Sequence, residues 1–266
     1  MTTLDGKTVL LTGATGGLGR PIAAALAARG AAVILSSRKE SELNELAASL
    51  PGTGHRVVVS DLADDGATLA LLDAAGDIDV LVANAALPGS GRLETFSHEQ
   101  IDRVLRVNLD SPIRMARELV PRFTERGSGH LVFVSSISGR VAAPRSSLYA
   151  ATKFGLRGFA ACLREDLRGT GVGVSIVSPG SIRDAGMYAD SGAPPPPGLG
   201  TGTPRQVGAG VVSAIEGDRR EVTVAPTRQK VAAWFAATAP EFVGRLAASV
   251  ASKAADQIAA GQTDKR

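Results

Sequence analysis

Six short runs rich in valine, isoleucine and leucine recur along the 266-residue chain: KTVLLT (7–12), AAVILS (31–36), HRVVVS (55–60), IDVLVA (78–83), GHLVFVS (129–135) and VGVSIVS (172–178). Each is nearly continuous in hydrophobicity, as strands buried on both faces should be. Helix-like segments lie between them, at 21–30, 40–50, 63–76, 97–123 and 147–169. Parallel neighbours need long crossovers, so the alternation predicts an α/β fold: a doubly wound parallel sheet with helices on both faces, in three αβα layers. EVTVAP (221–226) reads as a further strand. Residues 227–260 read as a C-terminal helical extension broken at Pro240, and GQTDKR (261–266) as a frayed end.

With 44% hydrophobic and 21% charged residues the chain can bury a full core, and residues 1–266 are expected to form one domain. The longest apolar stretches are interrupted before they could cross a bilayer. MTTLDGKTVLLTG enters a strand pattern at once and leaves no room for an export signal, and the single cysteine, Cys162, has no internal disulfide partner. A reducing, cytoplasmic setting is expected. Cys162 falls among apolar residues of a helix and is expected to be a buried, inert thiol. His98 reads as a helix start and His55 and His130 as strand starts; the three have no metal-ligand spacing, and no metal is expected. The isoelectric point near 9.3 rests on a formal charge of only +3. The arginines are spread along the chain rather than striped with aromatics, which argues against a nucleic-acid partner.

LLTGATGGLGRPIAAALAARG joins the first strand to the first helix and holds Gly13, Gly16, Gly17 and Gly19. Strand, glycines and helix in that order place backbone N–H groups and the positive end of the helix dipole around a phosphate-sized hollow, which a side chain would block. At the first crossover of a Rossmann fold this is where a dinucleotide lies. One segment breaks the rhythm, AGMYADSGAPPPPGLGTGTP (185–204), in which Pro194 to Pro197 favour an extended polyproline stretch. It follows a strand's carboxyl end, where ligands sit in such folds, and reads as a substrate loop.

TGATGGLG is TGxxxGxG (Thr12, Gly13, Gly17, Gly19), and with YAATK (Tyr149 to Lys153) it resembles the short-chain dehydrogenase/reductase (SDR) family; the matching features run from about residue 6 to residue 224. The resemblance implies a cofactor pyrophosphate over the glycine turn, Thr12, Gly13, Thr15, Gly16, Gly17, Leu18 and Gly19. It implies Asp61 and Leu62 beside the adenine, Asn84, Ala85 and Ala86 along the adenine ribose, and Pro179, Gly180 and Ile182 near the nicotinamide. Two stretches depart from the pattern: Ala83-Asn84-Ala85-Ala86 stands where the family has Asn-Asn-Ala-Gly, and Asp184 where it usually has threonine. An ionised carboxylate at 184 could accept from a carboxamide but not donate. The second strand ends in Ser37, Arg38 and Lys39, without the carboxylate that would accept from the ribose 2′-OH of NAD and repel a 2′-phosphate. A hydroxyl beside a planar guanidinium suits the phosphate, which predicts NADP(H) in preference to NAD(H).

Tyr149 and Lys153 lie one helical turn apart on one face. An ammonium about 5 Å from a phenol, at an effective dielectric near 20, favours the phenolate by roughly 3 kcal/mol, or about two pKa units. The pair is thus expected to bring the phenol toward the working range of a general acid or base. The resemblance adds Ser136, thirteen residues before Tyr149, to hold the substrate carbonyl, and Asn108, bent out of its helix so that its backbone holds a water linked to Lys153. Tyr149 would then give the proton while a hydride is transferred, and Lys153 would also hold the nicotinamide ribose. Arg140, Arg145, Met187 and Tyr188 are expected to line the pocket, each arginine either meeting an anionic substrate group or pairing with a neighbouring loop. The implied activity is NADP(H)-dependent interconversion of a small-molecule carbonyl compound and its alcohol. The resemblance implies a homodimer or homotetramer through the helices over 98–126 and 148–169; the C-terminal helices offer an interface of their own as an alternative, and an amphipathic membrane contact is not expected. Two rival readings are a non-catalytic NADP-binding sensor or scaffold, and a sugar-nucleotide epimerase or dehydratase, whose larger C-terminal domain this length hardly accommodates.

Overall fold

The computed structural model describes residues 2–192, 198–239 and 255–262. Seven strands, β1 (Thr8–Thr12), β2 (Ala32–Ser37), β3 (Arg56–Val59), β4 (Val80–Ala83), β5 (Gly129–Val134), β6 (Val172–Pro179) and β7 (Glu221–Val224), form one sheet in the order β3-β2-β1-β4-β5-β6-β7. Every pairing is parallel; Val9, for example, is in register with Val33 on one side and Val80 on the other. The winding reverses between β1 and β4, which opens a crevice at their carboxyl ends.

The helices are α1 (Gly19–Ala27), α2 (Glu40–Ser49), α3 (Ala67–Ala75), α4 (His98–Leu105), α5 (Ser111–Arg126), α6 (Ser147–Asp166), the short α7 (Met187–Asp190), α8 (Pro204–Glu216) and α9 (Thr227–Thr238). Successive strand side chains point to opposite faces, and both faces are covered. Val9, Leu11, Val33, Leu35, Val80 and Val82 pack with Ile22 and Leu26 of α1, Leu43 of α2 and Val207 and Val211 of α8. Leu10, Ile34, Leu81, Leu131 and Phe133 pack with Leu71 of α3, Met115, Leu119 and Phe123 of α5 and Leu156 of α6. Two covered faces explain the unbroken apolar runs, each such side chain contributing about 1.5–3 kcal/mol.

The structure departs from the sequence pattern in four places. The sequence pattern leaves 205–216 unassigned, yet α8 forms there, started by a capping box between Thr203 and Gln206 with Pro204 in its first turn. Its glycines hide it: a Cβ on Gly208 would lie 2.5 Å from the carbonyl oxygen of Pro21, so the glycine permits close contact between α8 and α1. The predicted single helix over 97–123 is divided by one π turn, Arg106–Asp110. Pro112 has no N–H for the carbonyl four residues back, that of Asn108, so the α pattern cannot run through unbroken.

Cys162 is exposed, not buried. The buried stripe of α6 is Leu148, Thr152, Lys153, Leu156 and Ala160, and residue 162 falls off it. The chain end does not fray at Gly261 and Gln262: residues 255–260 are helical and Gln262 is 4% exposed. Pro194 to Pro197, Pro240 and 263–266 lie outside the described residues. Among the described residues no helix is long and apolar enough to cross a membrane.

Candidate active site

At the crevice, Thr12 Oγ1 accepts from the N–H groups of Asn84 and Ala85, each at 3.1 Å. Asn84 Nδ2 donates to the carbonyls of Thr12 and Gly13 at 3.0 and 3.1 Å, so this side chain locks β4 to the glycine turn. Ala85 and Ala86 follow, half-buried. Gly13 has φ +65° and a Cβ on it would lie 2.8 Å from Ala85 Cα, while one on Gly19 would lie 2.1 Å from the Gly13 oxygen. Gly16 N–H closes the turn onto the same oxygen at 3.1 Å. The turn is a tight cradle of backbone with no room for side chains, and its N–H groups at the N-terminus of α1 suit a pyrophosphate. Gly17 is bare for another reason: a Cβ there would lie 2.2 Å from Gly186 N, because the segment after β6 crosses it, with Gly186 against Leu18.

At the end of β2, Thr15 Oγ1 donates to Ser37 Oγ at 3.0 Å. Arg38 Nη1 lies 3.7 Å from Asp61 Oδ2, which Arg103 approaches at 3.5 Å, and Asp61 Oδ1 accepts from Ala63 N–H at 3.0 Å. Leu62 is a core residue whose carbonyl takes a bond from Ser111. Lys39 is engaged by Glu42 at 2.5 Å, and Arg20 holds the same carboxylate at 3.2 Å. The Lys39 hydrogen bond holds Glu42 below the usual carboxylate range, with Arg20 adding to it. Arg20 and Arg103, which join this charge network, have no motif that marks them in the sequence.

Beyond the end of β5 the chain enters a short 3₁₀ turn, Ile137–Gly139. A Cβ on Gly139 would lie 2.7 Å from the Lys153 carbonyl, and Ser135 Oγ donates to that carbonyl at 3.1 Å, so the turn lies flat on α6. Lys153 is 2% exposed; its Nζ donates to the Val134 carbonyl at 2.9 Å and lies 5.7 Å from the Tyr149 ring centre. Ser136 Oγ accepts from Ser138 N–H at 3.1 Å and lies near the Tyr149 hydroxyl. Asn108 is fully buried: its Oδ1 accepts from Leu87 N–H at 2.7 Å, and its Nδ2 donates to the Leu87 carbonyl at 2.9 Å and to Thr152 Oγ1 at 3.4 Å. Ser136, Tyr149 and Lys153 therefore meet, with Asn108 joined to their helix through Thr152.

The electrostatics differ from the expected lowering of the phenol. Burial pushes Tyr149 up to about 12, the nearby Ser136 hydroxyl pulling the other way. Burial likewise brings Lys153 down to about 8. Desolvation penalises the charged form of each group and is the largest cause of both shifts.

Pro179 ends β6, and a Cβ on Gly180 would lie 2.3 Å from Gln229 Oε1. Gln229 of α9 is 5% exposed; it accepts from Ser181 N–H at 3.2 Å and donates to the Gly200 carbonyl at 2.6 Å. Buried Ile182 forms an isolated bridge with Gly202, so both ends of the long loop are stapled together. Gln229 carries no motif, and its role follows from the fold alone. Asp184 has φ +69° and faces solvent with its carboxylate 3.3 Å from Arg183. Arg140 and Arg145 both pair with neighbours, Arg140 Nε with Glu221 at 3.0 Å and Arg145 Nε with Asp256 at 2.7 Å. His130 is buried against Ser175 Oγ at 2.9 Å, and burial lowers it to about 4.

A doubly wound parallel sheet with a glycine cradle at its switch point, and a tyrosine and lysine on the next carboxyl edge, defines a class of dinucleotide-binding oxidoreductases. The chain belongs to the short chain dehydrogenase family, whose model matches residues 7–194. Over 230 residues it is 37% identical to the ketoacyl reductase HetN of Nostoc sp., covering 84% of this chain and 80% of that protein. It is 32% identical to dehydrogenase/reductase SDR family member 7B of Bos taurus, over 92% of this chain and 81% of that protein. A solved short chain dehydrogenase/reductase family protein superposes with a TM-score of 0.77 at 26% identity, covering 84% of this chain and 97% of that one. The chain is thus an oxidoreductase of a family that interconverts carbonyl compounds and alcohols with a nicotinamide cofactor.

Proposed function

We propose that this protein is an NADP(H)-dependent reductase or dehydrogenase in which Tyr149 is the general acid and base. One observation carries the reading: the Ser136 hydroxyl, the Tyr149 phenol and the Lys153 ammonium converge on the edge that holds the glycine cradle. When bound, a nicotinamide supplies or removes a hydride at the substrate carbon. Ser136 and Tyr149 donate to the substrate carbonyl as charge grows on its oxygen, and Tyr149 releases its proton there. A phenol held near 12 stays protonated at neutral pH, as a proton donor must. An ammonium has three donors; Val134 takes one, which leaves one for a ribose hydroxyl and one for the relay water. Freed of an α-helical partner by Pro112, the Asn108 carbonyl serves a water that returns the proton through Lys153.

Gly13, Gly16 and Gly19 would seat the pyrophosphate, and Ser37 with Arg38 the 2′-phosphate. The tether to Asp61 supports this, since it holds the Arg38 guanidinium beside the crevice. The named activity of the Nostoc relative places 3-oxoacyl thioesters among the first substrates to test, with simple ketones and aldehydes. The outward faces of α5 and α6, with Phe154 44% exposed, support a homodimer or homotetramer. The test is NADPH oxidation with this panel, and then with a Ser37→Asp, Arg38→Ala protein. The account predicts turnover and a shift of the kcat/KM ratio from NADPH to NADH of about 100-fold, two charge-assisted contacts being replaced by repulsion. An unchanged ratio contradicts the cofactor assignment, and no turnover with any carbonyl contradicts the activity.

A further inference from the structure

The helical stretch over 255–260 and the two residues after it lie against both loops of the cleft. Asp256 Oδ1 accepts from Arg145 Nε at 2.7 Å. Arg145 lies four residues before Tyr149, just ahead of α6, stands at φ +59°, and gives its carbonyl to Gly91 N–H at 2.7 Å. At the other end, a Cβ on Gly261 would lie 2.4 Å from the Ser191 oxygen. Gln262 Nε2 donates to the Met187 carbonyl at 3.2 Å. Since Gly186 rests on Gly17 and Leu18, one stretch of chain joins the loop leading into Tyr149 to the loop lying on the glycine cradle.

The closure is also incomplete. Gln262 is 4% exposed, yet its Oε1 is buried with no partner among the described residues. Turning the amide over would set Oε1 against the Met187 oxygen, so its orientation is fixed. Water would satisfy this acceptor as soon as the segment lifted, which favours opening. Positive φ values at Asp184, Gly186 and Gly192 mark bends on either side of the 187–191 segment.

We propose that residues 255–262 form a strap over the cleft and that Asp256 and Gln262 are specificity-determining residues. Shut, the strap holds the 187–191 segment down and admits compact carbonyl substrates; bulky ones require its release. The selectivity claim rests on the function proposed above, whereas the closure does not.

The test compares the full-length protein with Asp256→Ala, Gln262→Ala and Gln262→Glu, the last keeping the volume but losing the donor. Amide hydrogen exchange is read at Asp190, Ser191 and Gly192, whose N–H groups bond to Gly186, Tyr188 and Ala189. The expected result is exchange about tenfold faster at these amides in all three variants, with β1 and β4 unchanged. The kcat/KM for a bulky ketone should rise about fivefold relative to a compact one, while kcat for the compact ketone stays within about twofold. Equal exchange in all four proteins overturns the strap, as does faster exchange spread through β1 and β4. Faster local exchange with an unaltered bulky-to-compact ratio overturns the role in specificity. Wild-type protein inert toward every carbonyl would instead overturn the proposed function, a result on which the exchange experiment does not depend.

Discussion

Lys153 carries an ammonium into a place that disfavours charge, and stability should respond to pH accordingly. Its ordinary value of 10.5 falls to about 8 in the fold. Between these values the unfolded chain binds a proton that the folded chain does not, so stability rises with pH through that window and is flat below it. The full rise is about 3 kcal/mol. Tyr149 acts oppositely and only above its ordinary value of 10, where the folded chain keeps a proton that the unfolded chain has lost, up to about 12. The urea midpoint of the wild type, measured relative to Lys153→Met, should therefore climb from pH 8 to pH 10. A difference that stays level across that range would contradict the burial of the ammonium.

Among the elements, α8 gives the sharpest test of packing. Glycine to alanine in a helix interior ordinarily stabilises by up to about 1 kcal/mol. At Gly208 the new methyl would meet the Pro21 oxygen at 2.5 Å. Overpacking of that kind costs about 1–3 kcal/mol, so Gly208→Ala should lower the thermal midpoint by several degrees. A raised midpoint would mean that α1 and α8 can separate without loss. The same glycines explain why α8 was not legible in the apolar pattern, although Thr203, Pro204 and Gln206 spell a helix start. The strands were legible because burial on both faces leaves an unbroken apolar run. The π turn had a weaker signal in the residues themselves, Pro112 four residues after Asn108, and the family resemblance, which bends Asn108 out of its helix, pointed to it more directly.

Across the whole molecule, sequence order and spatial order part company at the switch point, where β1 lies between β2 and β4. The cradle at that point was legible, because glycine spacing is local. So were Ser136, Tyr149 and Lys153, one turn or one loop apart. What was not legible depends on distant partners: Gln229 under Gly180, Asp256 on Arg145, and Gln262 on Met187, separations that no motif encodes. The charge state of the tyrosine was not legible either, since spacing gives the attraction of the ammonium but not the depth of burial. The most direct measurement is the turnover of Tyr149→Phe on any substrate the wild type reduces, with NADPH affinity measured alongside by fluorescence. The account predicts a loss of about 100-fold to 10,000-fold in kcat, with affinity within about twofold of wild type. Full turnover by the phenylalanine protein would contradict it.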